Sequence, residues 1–330
     1  MRGRSEVPAD PLTDVLLLTN ARAAASGTLI AGGAWALRFP PPRRLKVLAV
    51  VRGACWLGID GERVPGPGAP RPGAPARLEA GDAVLLPADR PFGLAGDLQT
   101  LRARPDDGAR VFAGAPDHVA RVGTGDGFLA VGAHVALNPA RGPLLTDVLP
   151  PVVRVDGRSP EAAALRWLLE HLAEEVSTER PGAVLASAQL AQLVFVQLLR
   201  AHLASGAPLP PGWAGALRDE RLAPALRLLH ANPGRAWRLG ELARAANMSR
   251  TSFAVRFRAA VGVAPLTYLA RWRMRLAERE LREGARPVGE VARALGYTSE
   301  SAFSHAFTRA TGVPPRRYRA AAAAGADTDS

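Results

Sequence analysis

The spacing of apolar positions changes character along the chain. Between residues 10 and 155, short apolar runs such as WALRFP, LKVLAVVRGACWLGID, RLEAGDAVLLP and GFLAVGAHVAL are broken by Gly and Pro. Runs of this length bounded by turn residues predict β-strands, spaced as in an antiparallel sandwich or barrel. Pro65 to Ala76, PGPGAPRPGAPA, is too rich in Pro and Gly for a strand and reads as a loop. Residues 1–9 read as a disordered tail.

From Pro160 to Ser205 the period becomes helical. Leu165, Leu168, Leu169, Leu172 and Val176 share one face of a first helix; Leu190, Leu193, Val194, Leu198 and Leu199 stripe a second, with Pro181-Gly182 between them. This hairpin, residues 159–204, either packs within the chain or pairs with another copy to make a homodimer. Residues 205–217, including SGAPLPPGWAG, read as a linker, 218–320 as an all-α domain, and 321–330 as a disordered, Ala-rich tail. The expected class is multidomain, β followed by α.

The last domain contains an internal duplication. At an offset of 49, Glu241, Ala243, Arg244 and Ala245 match Glu290, Ala292, Arg293 and Ala294. One residue is then inserted, and at an offset of 50 Ser249, Phe253, Phe257, Gly262, Val263 and Pro265 match Ser299, Phe303, Phe307, Gly312, Val313 and Pro315. Each copy predicts a short Ala-rich helix, a turn at Asn247 or Gly296 where positive φ is cheapest, and a second helix capped by Ser249 or Ser299. The two Phe of each second helix anchor it in the core and leave its opposite face free. Between the copies, PLTYLARWRMRLAERELRE predicts a helix of about 28 Å. Leu266, Leu269, Trp272 and Leu276 face the two units there, while Arg271, Arg273, Arg275 and Arg279 stay wet.

Charge sharpens this picture by its location. Residues 218–320 hold 20 Arg against 8 acidic residues, the whole of the net charge of +12, and the remaining chain is neutral. A basic excess confined to one domain is the footprint of phosphate contact. Lys46 is the sole lysine, so arginine content by itself carries less weight than its position. The single cysteine, Cys55, excludes a disulfide framework and cysteine-based zinc fingers. No stretch approaches about 18 uninterrupted apolar residues and the first ten lack a signal-peptide core, which implies no membrane and a cytoplasmic location.

Residues 218–320 resemble the AraC/XylS DNA-binding domain, through RWRMRLAERELREG, VGEVARALGYTSESAFSHAF and TGVPPRRYR. Residues 10–204 resemble the cupin sensor and helical linker of one branch of these regulators, through WALRFP, ACWL, LEAGDAVLLP and PLLTDVLPPV. The resemblance implies a cupin-like antiparallel β-barrel sensor over 10–158 and a double helix-turn-helix domain that binds double-stranded DNA. It implies a small-molecule effector and contact with RNA polymerase in activation or repression.

Carried onto this chain, the base-reading face comprises Arg250, Thr251, Ala254 and Val255 in the first unit, and Glu300, Ser301, Ser304 and His305 in the second. Thr251, Ala254 and Val255 offer apolar contacts to thymine methyls; Ser301, Ser304 and His305 offer hydrogen bonds. The family often has Arg where Val255 and His305 stand, which reduces the share of guanine readout. Ser249, Arg256, Arg258, Arg271, Arg273, Ser299 and Arg309 are the expected phosphate contacts. A helix of that length lets one monomer set two readers one DNA turn, about 34 Å, apart.

In the cupin half, Lys46, Val47 and Phe92 stand where His is common, and His118 and His134 are the remaining histidines there. No metal and no cofactor are expected. Trp35, Phe39, Trp56 and Phe92 either wall a ligand pocket or fill a closed core. Cys55 reads as an inert buried thiol, with oxidant sensing as the alternative. A cupin-type metal-dependent enzyme with a helical appendage is the competing function, and missing metal ligands weigh against it. An alkyl-transfer repair protein needs a reactive Cys near the DNA, which Cys55 is not. A nonspecific nucleic-acid binder leaves the duplication unexplained.

Overall fold

The structure, a computed structural model, describes residues 10–62, 64–65, 74–103, 105–176 and 180–326. Residues 1–9 and 327–330, read as tails, and most of the Pro/Gly-rich loop lie outside the described residues. Among the described residues the chain divides into two compact units that interleave in sequence: one within 20–138 and 149–208, the other within 10–19, 139–148 and 209–326.

The described chain opens with helix α1 (Pro11–Leu18) and then enters the β-rich unit. Its strands are β1 (Arg22–Gly32), β2 (Ala36–Phe39), β3 (Leu45–Arg52), β4 (Ala54–Ile59), β5 (Ala76–Glu79), β6 (Ala83–Leu86), β7 (Phe92–Ala95), β8 (Asp106–Asp107), β9 (Val119–Gly123), β10 (Phe128–Ala136) and β11 (Val153–Val155). Short helices α2 (Leu98–Arg102) and α3 (Gly108–Ala113) lie between β7 and β9. Six strands form one sheet in the order β11-β6-β3-β10-β1-β9, and five form the other in the order β5-β4-β7-β2-β8.

The expected antiparallel barrel is corrected by this topology. Two open sheets lie over a shared core, no ladder joins them into a closed barrel among the described residues, and β9 and β8 run parallel to β1 and β2. Leu29, Leu48 and Val84 of one sheet and Leu37, Leu57 and Leu94 of the other meet in that core. Burying a side chain of this size contributes roughly 1.5–3 kcal/mol.

The hairpin follows as α5 (Ala163–Val176) and α6 (Ala183–Ala204), after α4 (Pro143–Thr146). The hairpin helices pack on each other and against β1, covering the outer face of the larger sheet. That double cover explains why β3 and β6 carry buried runs rather than strict alternation. The buried stripe of α6 is Ala191, Val194, Phe195, Leu198 and Leu199; Leu193, expected in it, is exposed. With 22 residues and a mean hydropathy of 1.4, α6 is long and apolar enough to cross a membrane by length and composition. Here its apolar stripe is turned onto the protein.

In the helical unit follow α7 (Trp213–Arg218), α8 (Ala223–Ala231), α9 (Leu239–Ala245), α10 (Arg250–Val261), α11 (Pro265–Glu283), α12 (Val288–Ala294), α13 (Glu300–Thr311) and α14 (Pro315–Ala326). The expected linker over 205–217 therefore includes most of α7, and α14 extends beyond the expected tail boundary at 321. Two segments assigned from sequence to the sensor also belong to this unit. Helix α1 buries Leu12, Val15 and Leu18 and packs on α8 and α11. The 139–148 segment places Arg141, 1% exposed, where its guanidinium donates to the Leu18 carbonyl at 3.3 Å and to Glu283 at 2.9 Å. Trp213 donates to the Leu144 carbonyl at 2.8 Å. Residues 11–18 fall within the stretch expected to form strands, and α1 is a helix which that expectation did not include.

Candidate DNA-binding surface and effector cavity

The duplicated sequence builds two helix-turn-helix units with the same hydrogen bonds. Met248 N donates to the Ala243 carbonyl at 2.9 Å and Tyr297 N to the Ala292 carbonyl at 3.0 Å. Asn247, at φ 51°, and Gly296, at φ 81°, make the two turns. Ser249 caps α10 by accepting from Ser252 N, and Ser299 caps α13 by accepting from Ala302 N, each at 3.1 Å. Phe253, Phe257, Phe303 and Phe307 are fully buried, and Gly262 and Gly312 end the two helices in left-handed conformations.

The equivalence extends to one close approach. A Cβ on Gly240 would lie 3.0 Å from Arg250 Nε, and one on Gly289 would lie 2.9 Å from Glu300 Oε2. The first side chain of each second helix thus lies over a glycine in the preceding short helix. Sequence reasoning missed Gly240 and Gly289 as positioning residues, although the offset of 49 that relates them was visible.

Of the expected base-facing residues, Arg250, Thr251, Val255, Glu300, Ser301 and His305 are exposed, while Ala254 and Ser304 are half-buried. Arg316 donates to Glu300 at 3.1 Å. Among the expected phosphate contacts, Ser249, Arg258, Arg271, Ser299 and Arg309 are exposed. Two already have partners within the protein. Arg273 donates to the carbonyls of Pro233 at 2.6 Å and Arg235 at 2.9 Å, and its partial burial lowers its pKa. Its guanidinium braces the joint between the two halves. Arg256 is exposed but donates to Asp219 at 2.6 Å, and this contact helps hold Asp219 below the usual carboxylate range. In α11, Leu269 and Trp272 are buried as expected, whereas Leu266 is 44% exposed.

The β-rich unit holds a half-open cavity of about 290 Å³. Phe39 and Phe92, stacked at 4.7 Å, line it; Trp35 and Trp56 do not. Trp35 instead packs against Phe128 at 5.0 Å within the core. Lys46 and His134, direct partners across β3 and β10, stand at the polar end. Burial, the Lys46 ammonium and Arg44 push His134 down to about 4, and burial pushes Lys46 down to about 8. Among the described residues no group of three or more His, Cys, Asp or Glu could hold a metal ion. Cys55 is 1% exposed, and burial pushes its thiol up to about 12.

Paired helix-turn-helix units in one chain with a β-rich cupin-like unit define a class, that of DNA-binding transcription regulators. Residues 10–204 match the family model described as Cupin, and residues 242–321 match the Helix-turn-helix domain model. The chain is 42% identical over 310 residues to an AraC-like transcription regulator of Streptomyces antibioticus, covering 94% of this chain and 98% of the relative. It is 41% identical to one of Streptomyces lividans, with the same coverage. It is also 35% identical to the DNA-binding domain of the global transcriptional factor AdpA in complex with a target DNA, covering 31% of this chain and 92% of that one, with a TM-score of 0.30. The chain belongs to the AraC-like transcription regulators. It is a regulator and not an enzyme.

Proposed function

We propose that one monomer places α10 and α13 in successive major grooves on one face of a DNA duplex, and that a small molecule in a metal-free cupin cavity sets promoter occupancy. The observation that carries the first part is the repeated hydrogen-bond set of the two units, joined by the 19-residue α11. In this reading Arg250, Thr251, Ala254 and Val255 address one half-site and Glu300, Ser301, Ser304 and His305 the other. Ser249, Ser299, Arg258, Arg271 and Arg309 hold phosphates and set register without naming bases. Arg256 joins them only by leaving Asp219.

Chain continuity supports the second part. Strands β1 and β10 both contribute to the cavity lining, through Leu29 and His134 among others. Strand β1 follows α1 in the chain, and β10 precedes the 139–148 segment, so both strands lead directly into segments of the helical unit. A ligand that shifts these strands therefore has two covalent routes to the DNA-binding unit. The exposed Trp167, Leu185 and Leu193 on α5 and α6 support a homodimer through the hairpin. A cytoplasmic site of action and contact with RNA polymerase belong to the same reading.

A gel-shift titration with fragments of the gene's own upstream region tests the proposal. Binding to one fragment at least 1,000-fold tighter than to random duplex, about the low end for specific regulators, is expected. Salt-dependent binding without sequence preference contradicts it.

A further inference from the structure

The cavity in the β-rich unit is apolar except at one end. Leu29, Leu48, Phe39, Phe92 and Phe112 supply its walls. At the other end Lys46, Ser26 and His134 lie together, and Arg43 also lines the cavity. The Lys46 ammonium donates to Ser26 Oγ at 2.5 Å, and this is its sole hydrogen bond or ion pair among the described residues. Its partner across the ladder is His134, the charges acting on that ring are Lys46 itself and Arg44, both cationic, and among the described residues no carboxylate acts on Lys46.

An ammonium facing an apolar cavity without a carboxylate partner is costly. Desolvation accordingly weakens its hold on its proton, while His134 is already neutral near pH 7. A charge complementary to Lys46 is thus missing from the protein side. A ligand anion placed there would gain a charge-assisted hydrogen bond in a partly water-excluded site.

We infer that the effector is a small monocarboxylate with a compact hydrocarbon body, its carboxylate held by Lys46 and Ser26 and its body lying against Phe39, Phe92 and Phe112. The inference rests on the reading of this cavity as the effector site and adds the ligand's chemical class. The volume of about 290 Å³ lies at the small end of ligand pockets. Neutral His134 completes the polar end as a hydrogen-bonding group that adds no second charge.

The test is calorimetric titration of the full chain without DNA, using hexanoate, octanoate and 3-phenylpropionate, each beside its own amide. At pH 7 at least one acid is expected to bind about 10-fold or more tightly than its amide. Lys46→Met should abolish that preference while leaving amide binding in place. The preference should also shrink between pH 7 and 9 as Lys46 loses its proton, a response that a merely structural lysine would not produce. Equal binding of every acid and its amide, or no binding of any acid, overturns the inference. So does an acid preference that survives in Lys46→Met. Carboxylate binding that leaves promoter occupancy unchanged would keep the ligand class and overturn the effector reading instead.

Discussion

The carboxylate of Asp14 and the ring of His230 stand 3.0 Å apart, although 216 residues separate them in the chain. The other ring nitrogen of His230 meets the Tyr268 hydroxyl at 2.7 Å, and the ring packs on Trp272 at 4.2 Å. Helix α1 is thereby tied to α8 and, through it, to α11. Asp14→Ala leaves a buried ring nitrogen without its partner, which costs about 1–3 kcal/mol. The expected result is a lower urea midpoint, with faster amide exchange over residues 11–18. Unchanged exchange there contradicts the docking of α1.

The two turns are equivalent in hydrogen bonding but not in tolerance. A Cβ on Gly296 would lie 2.1 Å from the Gly234 carbonyl oxygen, a backbone atom, at a φ of 81°. Asn247 already carries a Cβ at its own left-handed position. Gly296→Ala is therefore expected to destabilise by about 3 kcal/mol or more, combining backbone displacement with the left-handed cost. Asn247→Ala should cost about 1 kcal/mol. Denaturant midpoints of the two variants compare them directly, and equal losses contradict the difference.

Cys55 is expected to be silent. Burial raises its pKa to about 12, with Asp82 adding to the rise and Arg154 opposing it. At pH 8 native protein should resist iodoacetamide, and urea-unfolded protein should react. A folded pKa above the unfolded value makes the associated stability fully present below about 8.5, the ordinary thiol value. That stability is lost as pH rises towards 12. Rapid alkylation of the folded chain at pH 8 would restore the oxidant-sensor alternative.

Lys46 runs the other way. Its folded pKa of about 8 lies below the ordinary 10.5, so the unfolded chain binds the proton more strongly between those values. Stability should rise with pH across that window. In the absence of ligand, Lys46→Met should raise the melting temperature at pH 7, and the gain should shrink as pH approaches 10. A constant gain from pH 7 to 10 contradicts a desolvated ammonium.

The features that could be read directly from the chain are those fixed by local chemistry. Ser249, Phe253 and Phe257 announce α10 because capping and helical period act within a few residues, and the copy at Ser299, Phe303 and Phe307 announces α13 in the same way. The strands were legible as elements, but the parallel pairing of β9 with β1 and of β8 with β2 depends on long-range register. The same distance hid the docking of α1, the brace made by Arg273 and the Arg256–Asp219 pair. An arginine's period shows that its stem lies near a surface, and tertiary neighbours then decide whether its guanidinium meets a carbonyl, a carboxylate or solvent. In the cavity, Phe39 and Phe92 were recognised by residue type, whereas Lys46 stood out only as the sole lysine and as an absent histidine. Its chemistry became visible once His134 and Ser26 were found beside it.

In the proposed function, two matched readers on one monomer address successive grooves. Hydroxyl-radical footprinting of the full chain on its own upstream region tests it most directly. Two protected patches on one face of the duplex, about 10 base pairs apart per bound monomer, are expected. Ser304→Ala with His305→Ala should weaken one patch, and Thr251→Ala with Val255→Ala the other. A single patch per monomer, or both patches fading together in either double variant, would rule out two independent readers.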